Sequence, residues 1–137
     1  MEIIIILCEN ELKKDKEYKW KIKILNTKQN KINIGIVPMD FDYNSSQPYK
    51  LGWYIYCFDL TLYSGPPHNY CGKETKLKPP KREIMVYMNM RNRILKFKID
   101  NEGKEEECYN DIPIDKPIAP SVTLYNKNDS VEIISYS

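Results

Sequence analysis

The chain has 137 residues and a mass of 16.3 kDa, the size of one domain. Area scaling gives a surface of roughly 7,500 Å² folded against roughly 23,600 Å² unfolded, so a core can form without metals or disulfides. Its 21 basic and 19 acidic residues leave a net charge of +2, which argues against the strongly basic face of a nucleic-acid binder. No apolar stretch approaches the length of a membrane span. The start, Met1 to Cys8, lacks a basic segment, and its apolar run is too short for a signal peptide; the same deficit argues against a lipidated Cys8. Cys8, Cys57, Cys71 and Cys108 are scattered, without the spacing of a zinc site. The expectation is a cytoplasmic, reducing environment with four free thiols, where the sequons at Asn44 and Asn128 are chance matches.

Eleven tyrosines, many isoleucines and few alanines favour strands. In chain order, Tyr18, Trp20, Ile22 and Ile24 alternate with Lys19, Lys21 and Lys23, which predicts a strand with one apolar face and places Trp20 in the core. Asn26 to Lys31 is short and polar, so its flanking strands are expected to pair as a hairpin. Ile32, Ile34 and Ile36 repeat the alternation, and Pro38 to Lys50 is a long polar connection. Trp53 to Phe58 is apolar on both faces, which predicts a strand covered on both sides, with Trp53 buried and Cys57 an inert thiol. Gly65 to Arg82, with Pro66, Pro67, Pro79 and Pro80, is a second long connection. Ile84, Val86, Met88 and Met90 share one face, a tight turn follows at Arg91-Asn92, and Leu95, Phe97 and Ile99 face inward opposite Lys96 and Lys98. Asp100 to Gly103 ends that strand. Val122 and Leu124 alternate with Ser121 and Thr123, as Val131 and Ile133 do with Glu132. No window carries a helical period, so the pattern is that of an antiparallel sandwich or barrel.

Catalytic chemistry is sparse. His68 is the sole histidine and lies in a loop, where neighbouring Cys71 does not make an oriented base–nucleophile pair. Gly65 to Thr75 misses the phosphate-loop pattern, with six residues between its glycines and Glu74 after Lys73. Asp40 and Asp42 lack the calcium-loop pattern, and Glu105 to Glu107 read as a solvated turn. Lys19, Lys21 and Lys23 read as a solvated strand face that also discourages edge pairing.

The order of several motifs resembles the SPRY (B30.2-like) family. Tyr18 to Ile24 is similar to its "Y-x-W-E-V" strand, with lysine in the acidic position, and Ile34-Gly35-Ile36 to its "V-G-V/I-G-I" strand. Gly52-Trp53-Tyr54 matches the central Gly-Trp, and Leu62 to Gly65 resembles the segment that follows. Ile84 to Phe97 resembles "V-x-L-D-x-x-x-G-x-L-x-F", with Asn89 for the aspartate and Arg93 for the glycine. Ile112-Pro113, Pro120 to Leu124 and Ser130 to Ile133 are similar to the C-terminal motifs. The match spans about residues 12 to 135 of a single domain, 1 to 137, whose N-terminal strand is expected to be truncated, with Glu2 to Cys8 supplying part of it.

The resemblance implies an all-β fold, a bent antiparallel β-sandwich of concanavalin-like jelly-roll type with long loops. It implies no catalytic residues, no cofactor and no metal, and a protein partner, peptide or folded domain, held by loops at one end. A monomer acting without nucleic acid or membrane is expected, with a lectin-like or small-ligand-binding sandwich as the alternative. Rigid strands carrying aromatic loops are a common binding design. The candidate contact residues are Tyr43 and Tyr49 in the first long loop and Pro67, His68 and Tyr70 in the second.

Overall fold

The computed structural model describes residues 4–7, 11–42, 44–78, 83–100 and 104–136. Among the described residues, eleven strands form two sheets in which every neighbouring pair is antiparallel. The strands are β1 (Ile4–Leu7), β2 (Glu17–Asn26), β3 (Ile32–Pro38), β4 (Trp53–Tyr56), β5 (Thr61–Ser64) and β6 (Cys71–Lys73). They continue with β7 (Glu83–Asn89), β8 (Ile94–Ile99), β9 (Glu106–Tyr109), β10 (Ile118–Leu124) and β11 (Ser130–Tyr136). The first sheet runs β1-β10-β3-β4-β5-β6 and the second β11-β2-β7-β8-β9. A single 3-10 turn, η1 (Pro48–Leu51), precedes β4.

Period-two alternation puts rows of apolar side chains between the sheets. In the second sheet the register aligns Trp20 with Val86 and Phe97, and Ile22 with Ile84 and Ile99. In the first sheet Val122, Ile34, Ile55 and Leu62 form one row across four strands. All these side chains belong to one buried cluster, with Trp20 only 3% exposed. A smaller cluster of Val37, Phe41 and Tyr54 lies on the outer face of the first sheet, where Tyr49 and Leu51 of η1 pack against it. Phe41 and η1 therefore lie over that face.

Several sequence expectations need correction. Asn26 to Lys31 does not close a hairpin, because β2 pairs with β11 and β7 whereas β3 pairs with β10 and β4. Both strands have one strongly apolar face, and those faces cover each other from opposite sheets, so the loop spans the roughly 10 Å between layers. The 125–129 segment crosses beside it. Asp129, 6% exposed, binds the two crossings together: its carboxylate accepts from the Thr27 hydroxyl (2.9 Å) and the Lys28 N–H (3.0 Å). Asn26 Nδ2 donates to the Asn128 carbonyl at 2.8 Å.

Glu105 to Glu107 is not a turn. Glu106 and Glu107 begin the edge strand β9, Glu105 pairs with Lys96 at 3.8 Å, and a Glu106 carboxylate oxygen accepts from the Lys76 N–H at 2.7 Å. The second long connection is not wholly irregular, since it contains β6. Ser121 and Thr123, on the polar side of their strand, are buried, because β10 lies inside the sheet and the Tyr54 hydroxyl sits near them. The doubly apolar stretch is covered on both sides at Tyr54 and Ile55, but the strand stops at Tyr56 and Phe58 is 56% exposed in the turn beyond.

Other expectations agree. The β7–β8 turn falls at Arg91-Asn92, where Asn89 Oδ1 accepts both backbone N–H groups at 3.0 Å. Arg93 ends that turn at φ 59°, a left-handed conformation that suits the glycine of the related motif. Cys57, Cys71 and Cys108 are free thiols, and Cys8 lies outside the described residues. Gly35 is required by close approach: a Cβ there would meet the Trp53 carbonyl oxygen at 1.9 Å.

Trp20 sits at the centre of the interlayer packing, so Trp20→Ala should destabilise the fold by about 3–5 kcal/mol in urea unfolding. A loss below about 1 kcal/mol would contradict the inner-face assignment.

Candidate functional site

The loops meet at the end of the sandwich where β3 stops and β4 begins. Pro38 closes β3, and the Met39 N–H donates to the Pro117 carbonyl at 2.8 Å, which ties the first loop to the chain entering β10. Lys116 Nζ meets Asp40 Oδ2 at 3.1 Å; both side chains are well exposed, so this bridge aligns the loops more than it stabilises them. Short local bonds shape the rest of the first loop. Asp42 Oδ1 accepts the Asn44 N–H (2.9 Å), Ser45 Oγ accepts the Gln47 N–H (3.1 Å), and Pro48 starts η1. This is the turn chemistry that Asp, Ser and Pro favour.

The second loop leaves β5 against η1. The Gly65 N–H donates to the Gly52 carbonyl at 3.0 Å, and a Cβ on Gly65 would meet the Lys50 carbonyl oxygen at 2.0 Å, so only glycine fits that approach. The Pro66–Pro67 peptide is cis. Between these loops and residues 113–118 lies a groove of about 380 Å³. Its apolar lining includes Trp53, Leu51, Pro66 and Pro113, and its charged lining alternates acids, Asp40, Asp42 and Asp115, with bases, Lys50 and Lys116.

The sequence-derived candidates occupy different places. Tyr43 lies outside the described residues. Tyr49, on η1, turns to the outer face of the first sheet, where its ring meets Tyr63 edge-on at 5.6 Å. Pro67 is exposed beside the groove residue Pro66. His68 and Tyr70 pack on Tyr109 of β9, at 5.4 and 5.6 Å between ring centroids. His68 Nε2 is also hydrogen-bonded to the Asn110 carbonyl, and Lys73 Nζ lies 4.3 Å from the Tyr70 ring centroid. His68 and Tyr70 therefore form one patch and Tyr49 another. The groove itself is lined by residues that the sequence did not single out for binding: Trp53, Pro66, Pro113, Asp115 and Lys116. Proline and acidic residues near Lys116 were visible in the sequence, but their approach to the first loop depends on pairing between β3 and β10.

Tyr109 anchors the edge patch. It is 1% exposed, and its hydroxyl donates toward the Tyr54 carbonyl (2.6 Å) and the Tyr63 carbonyl (3.0 Å) of the first sheet. A residue of the second sheet thus holds the loop-bearing strands β4 and β5. Burial pushes its hydroxyl pKa up, so it remains a donor. Among the described residues no cluster of three or more His, Cys, Asp or Glu side chains is arranged to hold a metal. No described helix is long and apolar enough to cross a membrane.

No family profile matches the sequence, and no curated protein matches it. Solved structures do resemble this one. The SPRY domain of human HERC1 aligns with a TM-score of 0.68 at 16% identity, covering 96% of this chain and 80% of that one. Another human SPRY domain aligns at 0.67 and 13% identity, covering 96% and 84%. The PSpry domain of TRIM65 aligns at 0.64 and 9% identity, covering 97% and 70%. The chain has the fold of the SPRY domains, an antiparallel β-sandwich.

Removing the Tyr109 hydroxyl isolates its role. Tyr109→Phe should cost about 1–3 kcal/mol in denaturant unfolding and leave the strand content of the circular dichroism spectrum unchanged. An unaltered stability would mean that the bridge to β4 and β5 contributes nothing.

Proposed function

We propose that this chain is a non-catalytic protein-interaction module that binds a peptide segment or a loop of a folded partner at the loop end of the sandwich. The observation that carries the reading is the groove over Trp53, where three stretches remote in sequence, 38–42, 65–66 and 113–118, come together. Strands fixed in two sheets hold such loops with little ordering cost on binding. Apolar residues interspersed with both signs of charge suit a polypeptide with apolar anchors and a polar rim. The SPRY-like fold supports the same reading, although fold alone does not assign function. The module works in the cytoplasm as a monomer, needs no cofactor, and does not act through nucleic acid or membrane. Pro67, next to the groove residue Pro66, and His68 and Tyr70 further along the same loop add secondary contacts, with Tyr43 in the same loop as Asp42 and Tyr49 on the neighbouring sheet face.

Affinity capture from native cells followed by alanine substitution tests this. Truncation at Asp40, Pro66, Asp115 or Lys116 should weaken the captured partner by about 1–3 kcal/mol at the principal contacts, while Lys96→Ala should change binding by less than about 0.5 kcal/mol. Full binding by all four groove variants, with loss on changing Lys19 and Lys23, would move the site to the second sheet.

A further inference from the structure

A separate aromatic pocket lies on the outer face of the first sheet. Alternation creates it: because Trp53, Ile55 and Leu62 point inward, Tyr56 and Tyr63 point outward. Tyr49 from η1 and Tyr125, just after β10, join them around a pocket of about 290 Å³, with Asn33 and Lys31 completing its lining. The rings stand edge to face: Tyr49 on Tyr63 at 5.6 Å and 80°, Tyr56 on Tyr63 at 5.8 Å and 89°, and Tyr56 on Tyr125 at 6.4 Å and 90°. Phe58, 56% exposed, stacks on Tyr56 at 6.0 Å and extends the aromatic surface into solvent.

The polar groups define the ligand. Asn33 is 4% exposed, and its Nδ2 donates to the Tyr125 hydroxyl at 3.0 Å, leaving the phenolic proton for an outside acceptor. Burial raises the pKa of Tyr56 and of Tyr125, so both hydroxyls stay protonated. The lining carries phenolic and ammonium donors but no carboxylate. Lys50 adds a second ammonium, 6.0 Å from the Tyr49 ring centroid. A quaternary ammonium would meet two like charges here, and the lining rings meet one another at 80–90°, so they offer no shared flat platform for a nucleobase. A polyproline II segment fits both features: its pyrrolidine rings pack into a cavity walled by aromatic rings of mixed orientation, and it offers carbonyl acceptors without competing N–H groups.

We propose that the tyrosine pocket is a second peptide site, which takes a proline-rich polyproline II segment flanked by acidic residues. The two sites share no lining residue, and Lys50, which lines the groove, reaches the Tyr49 wall of this pocket from its edge. The test is a ¹⁵N-correlation NMR titration of the full chain with a peptide of about six prolines between aspartates. A serine-for-proline peptide, a trimethyllysine peptide and a short single-stranded oligonucleotide serve as comparisons. The proline peptide should saturate and shift the Asn33 side-chain amide and the Lys31 to Asn33 backbone. Phe58→Ser and Tyr56→Leu, with spectral dispersion confirming the fold, should each weaken binding at least about 10-fold, whereas Pro66→Ala in the loop groove should not change it. No saturation below about 1 mM, indifference to both aromatic variants, or tighter binding of any comparison ligand would overturn the proposal.

Discussion

Two apolar sheet faces pressed together set every other feature of this molecule. The Trp20–Val86–Phe97 and Ile22–Ile84–Ile99 rows of one sheet close over the Val122–Ile34–Ile55–Leu62 row of the other. Because side chains alternate, a one-residue slip in any of these strands would turn its apolar set outward, so register is fixed by burial. Two buried polar groups tie this packing together. Asp129 joins the two chain crossings, and the Tyr109 hydroxyl reaches the carbonyls of β4 and β5. Both residues tie elements that the apolar rows alone would leave free to separate.

The outer faces follow different rules. On the second sheet, lysines are laced to acids and rings: Lys21 to Glu83 at 3.4 Å, Lys96 to Glu105 at 3.8 Å, and Lys19 over Tyr87 at 5.7 Å. That surface is polar and self-satisfied. The first sheet instead buries Val37 and Tyr54 under Phe41 and leaves the remaining tyrosines as walls of a pocket. The same strands therefore carry the core on one side and the tyrosine pocket on the other, and the groove opens where they end.

Alternation in the sequence shows which side chains face inward but not which strand each one meets. That is why the faces of β2, β3, β7 and β8 were legible, while the crossing at Asn26 to Lys31 passed for a hairpin: a short polar loop looks the same whether it turns within a sheet or climbs between sheets. Short edge strands were hidden for a related reason. Cys71–Lys73 and Glu106–Tyr109 are only three and four residues long and carry few apolar side chains, so they have no period to read. The candidate site was legible as loops and aromatics, not as a groove. Trp53 and Pro113 come together only once β3, β4 and β10 are paired, and Tyr49 joins Tyr56, Tyr63 and Tyr125 only across strands distant in sequence. Arg93 stands where the related motif has glycine and takes the left-handed φ of 59° that glycine adopts without strain, a feature the substitution alone did not predict.

One cooperative sandwich carries loops less constrained than its strands. Native-state hydrogen exchange measures this directly. Amides in β2, β3, β4, β7, β8 and β10 should exchange together, at the free energy of global unfolding, while those of residues 44–47 and of His68 should exchange through openings at least about 2 kcal/mol easier. Separate exchange free energies for the two sheets, or loop amides as protected as those of β3 and β7, would contradict it.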